Sequence, residues 1–263
     1  MTRRTLLVSL AASAAAQSKP AIPVRALNHV TMAVKDVQRS VEFYQKLFGL
    51  PVQARQGPTV LLRIGRGPQF LAFNPAANNA KTGIHHFCIT TDAFSLDTIF
   101  GILAAHGIDR AKVHVRMRPA DLGGAKDGTP ELYFPDPDGL VVQIQHSSYC
   151  GGAGAFGEAC TAPIEPAKSK GLLALRDLHH VLLHTPQAER SRTFYHELFS
   201  HQPAVIAIEQ APQAAIAHVS LSTGSFRPRR ILAALSELRV KDIRAEKDSI
   251  TFLDPDQIRI QLR

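Results

Sequence analysis

Four histidines recur in one register along this 263-residue chain. His29 follows Leu27-Asn28, and His180 follows Leu178-His179. Each leads through an Arg-Ser pair (Arg39-Ser40, Arg190-Ser191) to Phe43-Tyr44 and Leu47-Phe48, or to Phe194-Tyr195 and Leu198-Phe199, at a constant offset of 151 (180 − 29, and again 199 − 48). His86 and His218 open a second pair of segments, where Phe94, Ile99 and Leu103 answer to Phe226, Ile231 and Leu235 at an offset of 132 (218 − 86). Imidazole is the commonest side-chain metal ligand, so a repeat that keeps it at one position points to metal chemistry. The other reading is four satisfied structural histidines kept by shared ancestry.

Four related units must position these side chains. In the first, Ala26 to Val34 alternates as a strand, Asp36 caps a helix with Val37, Val41, Tyr44 and Phe48 on one face, and Gly49 ends it. Thr59–Ile64 and Gln69–Phe73 follow as strands, with room for one more near Val52. The second unit repeats the plan: a strand over Ile84–Thr90, a helix over Leu96–His106 ended by Gly107, and a strand over Val113–Arg118. A hairpin of Glu131–Phe134 and Leu140–Gln145 then turns on Asp136-Pro137-Asp138-Gly139, to which we assign no chemistry. Units three (from Ala174) and four (from Ala215) are shorter; Phe252-Leu253-Asp254-Pro255-Asp256 repeats the earlier turn. From Leu47 to His86 the chain spends 39 residues (86 − 47), but from Leu198 to His218 only 20 (218 − 198), so unit three should lack a hairpin. Strand alternation places His85 and His179 on the faces opposite their neighbours.

The expected organisation is a leader over 1–16, a first domain over 25–146, a linker over 147–173, and a shortened second domain over 174–263. Arg3-Arg4 and the short apolar stretch from Thr5 to Ala16 read as an export signal, with the twin-arginine route and the ordinary secretory route both open. The destination is the periplasm or the exterior. No other stretch is long and apolar enough for an integral membrane segment. The formal charge is +8, or +6 without Arg3 and Arg4 (8 − 2), and no dense basic run alternates with aromatics. A basic surface is therefore the better reading, and no nucleic-acid partner is expected. Cys150 and Cys160 flank a Gly- and Ala-rich loop and can form a disulfide in an oxidising compartment, whereas Cys88 sits in an apolar run as a buried thiol.

The pattern resembles the vicinal oxygen chelate superfamily, which includes glyoxalase I, extradiol ring-cleaving dioxygenases and bleomycin-resistance proteins. The resemblance lies in Leu27-Asn28-His29-Val30 with its Phe43-Tyr44 helix, in Ile84-His85-His86-Phe87, and in Leu132-Tyr133-Phe134-Pro135-Asp136-Pro137-Asp138-Gly139. It covers nearly all the chain after the leader and is weakest in unit four. It implies an α+β fold in which paired βαβββ modules form cupped mixed sheets, in two tandem domains with the second truncated. It further implies a divalent metal on His29, His86 and Gln143, with His180, His218 and Gln261 as a second candidate site. Leu71 stands where glyoxalase I adds a ligand, which favours the three-ligand branches. Fe(II) or Mn(II) suits two imidazoles and an oxygen donor, with Zn(II) as a further candidate.

Two departures matter. Gln143 replaces the usual glutamate, so the oxygen donor carries no charge. The histidine expected before the Leu-Tyr pair is absent from Gly123-Gly124-Ala125-Lys126-Asp127-Gly128, leaving Lys126 as a substitute only with a lowered pKa. The expected function is that of an exported metal-dependent protein acting on a small molecule with vicinal oxygens, most like an extradiol dioxygenase, with Tyr133 within reach of substrate. The alternative is a non-catalytic binding or sequestering protein of the bleomycin-resistance type. A homodimer is compatible with the sequence, which does not set the oligomeric state.

Overall fold

The computed structural model describes residues 19–77, 80–160, 165–200 and 205–263. The expected leader lies outside these residues. A two-residue strand β1 (Ile22–Pro23) precedes the first module, which runs β2 (Ala26–Val34), α1 (Val37–Phe48), β3 (Val52–Gln56), β4 (Thr59–Arg63) and β5 (Phe70–Pro75). The second module runs β6 (Gly83–Thr91), α2 (Leu96–Ala105), β7 (His114–Arg118), β8 (Thr129–Pro135) and β9 (Val141–His146). These strands form one sheet of eight, ordered β3-β4-β5-β2-β6-β9-β8-β7. The sheet curls until its edges meet. Gly123, after β7, adopts φ +79°, and a Cβ there would stand 2.8 Å from the Arg55 carbonyl of β3, so the cup closes on a residue without a side chain.

The third module contributes β10 (Leu175–Thr185), α3 (Ala188–Leu198), the short β11 (Phe199–Ser200) and β12 (Ile206–Gln210). The fourth contributes β13 (Ala215–Thr223), α4 (Pro228–Glu237), β14 (Arg244–Ala245), β15 (Ile250–Leu253) and β16 (Arg259–Leu262). Their main sheet has six strands, ordered β12-β10-β13-β16-β15-β14. Relative to the first sheet, it lacks two strands on the third module's side among the described residues, as the spacing predicts. β1 pairs with β11, so the N-terminal stretch lies on the other half of the molecule. Among the described residues, no helix is long and apolar enough to cross a membrane.

The local reasons for these elements follow the sequence. The Asp36 side chain accepts from the Arg39 amide at the start of α1, and Gly49 closes the helix in the left-handed conformation at φ 68°. Val41, Tyr44, Leu47 and Phe48 face inward. One hydrophobic core joins both halves, running from Val30, Phe73 and Phe87 to Val181, Val219 and Phe252. β2 and β6 pack against β10 and β13.

Two reciprocal clasps fix the halves. The Asp254-Pro255-Asp256 turn reaches α1: Asp256 accepts from Ser40 Oγ at 2.7 Å, from the Lys35 amide at 2.9 Å and from Arg39, while Asp254 accepts from Tyr44 Oη at 3.0 Å. The Asp136-Pro137-Asp138 turn reaches α3 in the same way: Asp138 accepts from Ser191 Oγ at 2.8 Å, from Thr185 Oγ1 and from Arg190, while Asp136 accepts from Tyr195 Oη at 2.9 Å. The repeated Arg-Ser and Phe-Tyr residues are therefore receptors for the other half's turn. The first aspartate of each turn also holds its own backbone amides, Asp138 and Leu140 on Asp136, Asp256 and Ile258 on Asp254.

A candidate metal centre and its cavity

In the two central strand pairs, the ladder skips one residue immediately before each histidine: Asn28, His85, His179 and Ala217. Such bulges bring consecutive side chains towards one side of the sheet. Strand alternation puts His85 behind the sheet, but the bulge turns it to the cavity side, with its Nδ1 2.8 Å from His86 Nδ1. His179 likewise meets His180, Nδ1 to Nδ1, at 2.7 Å. The expectation that these two residues face away is corrected by this feature of the ladder.

His29 on β2, His86 on β6 and Gln143 on β9 come together at the bottom of the first cup, all buried. The two rings stand 5.6 Å apart, nearly perpendicular. Gln143 Oε1 lies 2.9 Å from His29 Nε2, and the amide reaches His86 as well. Phe70 stacks under His29 at 4.3 Å. Burial pushes the His29 pKa down to about 3 and that of His86 well below its ordinary value, so both rings are neutral at physiological pH.

Asn28 sets the His29 tautomer. Its Nδ2 donates to the Tyr149 carbonyl at 3.0 Å, which turns Oδ1 towards His29 Nδ1 at 2.8 Å. Nδ1 therefore holds the proton, and the Nε2 lone pair faces Gln143. With the amide oxygen towards Nε2, two acceptors confront each other and Gln143 Nε2 is buried without a partner. Turning the amide over would feed Nε2 but strand the oxygen instead. A cation bound to both His29 Nε2 and Gln143 Oε1 would resolve the facing acceptors in the first orientation. Two neutral imidazoles and an amide oxygen suit a divalent ion. Among the described residues, no set of three His, Cys, Asp or Glu side chains is placed to hold a metal, so any site here depends on Gln143.

The cavity above this pole has a volume of about 410 Å³ and is lined by Thr31, Thr59, Phe70, Ala72 and Asn74 on one side and by Lys112, His114, Arg116 and Tyr133 on the other. Tyr133 stands edge-on to His86 at 5.3 Å. Its hydroxyl donates to Glu131 at 3.2 Å, and Tyr149 Oη donates to the same carboxylate at 2.8 Å. Arg118 completes the pairing with Nε at 2.8 Å, and both charged side chains are essentially inaccessible. Glu131 is thus engaged by a framework that fixes both tyrosines in the cavity wall. Lys126, considered as a proton carrier, does not line the cavity, whereas His114, opposite Tyr133 in the β7–β8 ladder, does.

The segment after β9 is part of this wall. Tyr149 is buried beneath His29, and the next residues are held by side chains of the sheet: Gln53 donates to the Cys150 carbonyl at 2.7 Å, Gln56 to Gly151 at 2.9 Å and Arg118 to Gly152 at 2.6 Å. Gly151, at φ +82°, lies so close that a Cβ would stand 2.1 Å from Leu61 Cδ2. Cys150 and Cys160 are disulfide-bonded, and Cys88 is free and buried. The Gly-rich composition reads as a tether, but these bonds make its first part a structural strap. Tyr149 carries no motif that sequence reasoning could have seized on, and Asn28, although part of Leu27-Asn28-His29-Val30, shows its role only through its contacts with Tyr149 and His29.

The second half repeats the imidazole pair and little else. His180 and His218 stand 5.6 Å apart, and burial brings both pKa values to about 4. His218 Nε2 is buried without a partner. Gln261, however, accepts from Ser220 Oγ at 2.8 Å and donates to Ser249 Oγ at 3.4 Å, so its amide is taken up by hydroxyls. The second cavity, about 420 Å³, mixes Glu209, Glu246 and Asp248 with Lys247 and Arg263.

A fold of paired modules with histidines converging in a cup defines a class, and comparison with known proteins agrees. Residues 26–144, the first two modules, match the family model described as the Glyoxalase/Bleomycin resistance protein/Dioxygenase superfamily. The virulence protein STM3117 of Salmonella typhimurium is 24% identical over 123 residues, which cover 45% of this chain and 81% of that protein. The 2,3-dioxygenase LapB from Pseudomonas sp. KL28 shares the fold with a TM-score of 0.69 at 18% identity, covering 92% of this chain and 93% of its own. The Mn(II)-bound glyoxalase from Novosphingobium aromaticivorans does so with a TM-score of 0.68 at 15% identity, covering 92% and 82%.

Proposed function

We propose that the first domain binds a divalent metal on His29, His86 and Gln143 and acts on a small molecule that presents two adjacent oxygens, with extradiol-type opening of a catechol as the reaction class. The observation that carries this reading is the fixed His29 tautomer, whose Nε2 lone pair faces the Gln143 amide oxygen beside a second buried imidazole. The ion would supply Lewis-acid charge and, as Fe(II) or Mn(II), a redox centre. The similarity to a dioxygenase and to a Mn(II)-bound glyoxalase supports the same direction.

The chain's own residues would divide the remaining work. Asn28 keeps the proton on His29 Nδ1, Phe70 and Tyr149 keep water from the pole, and Tyr133 bounds one face of the substrate. His114 lines the cavity at the far end from the pole, whereas Lys126 lies elsewhere and Glu131 is held by Arg118. Export completes the proposal; the Arg3-Arg4 leader and the Cys150–Cys160 disulfide support an oxidising destination.

The second reading is a binding protein without turnover. Two observations favour it: the oxygen donor is a neutral amide, and the buried carboxylate nearest the cavity is saturated. Elemental analysis of untagged protein, followed by oxygen uptake with catechols, separates the two. One metal per chain with oxygen consumption supports the enzyme. Metal or catechol binding without uptake leaves the binder, and no metal with no effect of His29→Ala would overturn both metal readings.

A further inference from the structure

The wall of the first cavity is electrically one-sided. Lys112 precedes β7, and His114 and Arg116 occupy alternate positions on it, so all three line the cavity from one edge. Among the described residues, no aspartate or glutamate lines the cavity. Glu131, just behind, is fully engaged by Arg118, Tyr149 and Tyr133, and it leaves Arg116 at 3.8 Å with a side chain 41% exposed. Among the described residues, Lys112 and His114 make no ion pair. The protein's net positive charge does not by itself produce such a rim. The equivalent cavity of the second half, in the same chain, sets three carboxylates among its cations.

We propose that the substrate carries a carboxylate, held by Lys112, His114 and Arg116, on a ring whose adjacent oxygens face the His29–His86–Gln143 pole. The inference rests on the metal reading of that pole. Two ring-to-ring steps lead from the pole to the rim, 5.3 Å from His86 to Tyr133 and 6.4 Å from Tyr133 to His114. A compound touching both ends therefore needs one aromatic ring plus a short side chain, and a cavity of about 410 Å³ accommodates a molecule of that size. The opposite wall, with Phe70, Ala72 and a Thr59–Asn74 hydrogen bond of 2.7 Å, offers ring contact and neutral polarity but no charge. Specificity arises because the carboxylate meets Lys112, which makes no ion pair among the described residues, and Arg116, whose carboxylate partner is already engaged by Arg118, whereas a neutral analogue leaves both to water.

The test is anaerobic titration calorimetry of the metal-loaded, full mature chain with 3-(3,4-dihydroxyphenyl)propionate and with its methyl ester. The acid should bind at least ~10-fold more tightly than the ester at low salt, and the preference should shrink as salt is raised. In the variant carrying Lys112→Gln and Arg116→Gln, whose melting curve checks the fold, the acid should fall to within ~3-fold of the ester. Equal binding of acid and ester by the wild type would overturn the rim assignment while leaving the pole intact. A preference that survives the double substitution would also overturn it. Binding of neither compound by protein with a full complement of metal would overturn the pole reading and this inference together.

Discussion

The two halves place a pair of imidazoles at the same separation, 5.6 Å between ring centroids, and then diverge. In the first half the residue before the strand histidine is Asn28, which holds the Nδ1 proton; in the second it is His179, which meets its neighbour nitrogen to nitrogen. Gln143 turns to the histidines, whereas Gln261 is occupied by Ser220 and Ser249. Glu131 anchors two tyrosines in the wall of the first cup, and Ser249, at the corresponding place in the fourth module, does not. The difference teaches that an imidazole pair comes with the repeated strands, while its surroundings are set by the residues that orient the pair and cover it.

The comparison breaks most simply at the histidines. His29→Ala and His86→Ala should each abolish stoichiometric divalent metal, read by elemental analysis, while His180→Ala leaves the content unchanged; equal losses in both halves would end the distinction. The next largest effect should be on the framework that only the first half has. Arg118→Met strands the buried Glu131 and should cost about 3–5 kcal/mol in denaturant unfolding, where substitution of Lys247 beside the second cavity should cost little. Opening the strap by Cys150→Ser should lose about 2–3 kcal/mol and weaken metal binding, because Tyr149 no longer fixes Asn28. Gln143→Glu should tighten metal binding by about tenfold, a charged donor replacing a neutral one, whereas Gln261→Glu should not create a site.

The smallest effect concerns pH and the clasps. Burial raises the Asp254 carboxyl to about 6, above its ordinary 3.8. Between those values the folded chain binds the proton more than the unfolded chain does, so this group's contribution to stability falls as pH rises through the window. Asp254→Asn should remove that part of the slope, measured as the difference in unfolding free energy between pH 4 and pH 7. A difference unchanged by the substitution would show that this aspartate ionises freely in the folded protein.

Much of the architecture was legible because it rests on local signals. Asp36 and Gly49 bracket α1, the alternation from Ala26 to Val34 is β2, and the 20-residue interval from Leu198 to His218 announces the missing hairpin. The two pole histidines were legible through the repeat register, and Gln143 only through the family resemblance. What escaped was set by the ladder and by tertiary contact. A bulge has no composition of its own, so strand alternation misplaced His85. The 147–160 segment reads as a tether because its glycines look flexible, yet Gly151 and Gly152 are small so that the strap can lie against Leu61 and accept from Arg118. The Asp-Pro-Asp turns look like turns and nothing more until their partners, some 50 to 220 residues away in sequence, are known.

The clasps also have a consequence for symmetry. Each half carries both parts of the same fastening, a helix bearing Arg-Ser and Tyr and a turn bearing Asp-Pro-Asp, and each part engages its counterpart on the other half. A surface that carries both complementary parts in this arrangement is isologous, the kind that generates a twofold axis between identical copies. The chain is in this sense a dimer written as one polypeptide, and the linker only lowers the order of an association that the two halves are already shaped to make. The second half, with fewer strands among the described residues, still fastens the first helix of the other through Asp254 and Asp256.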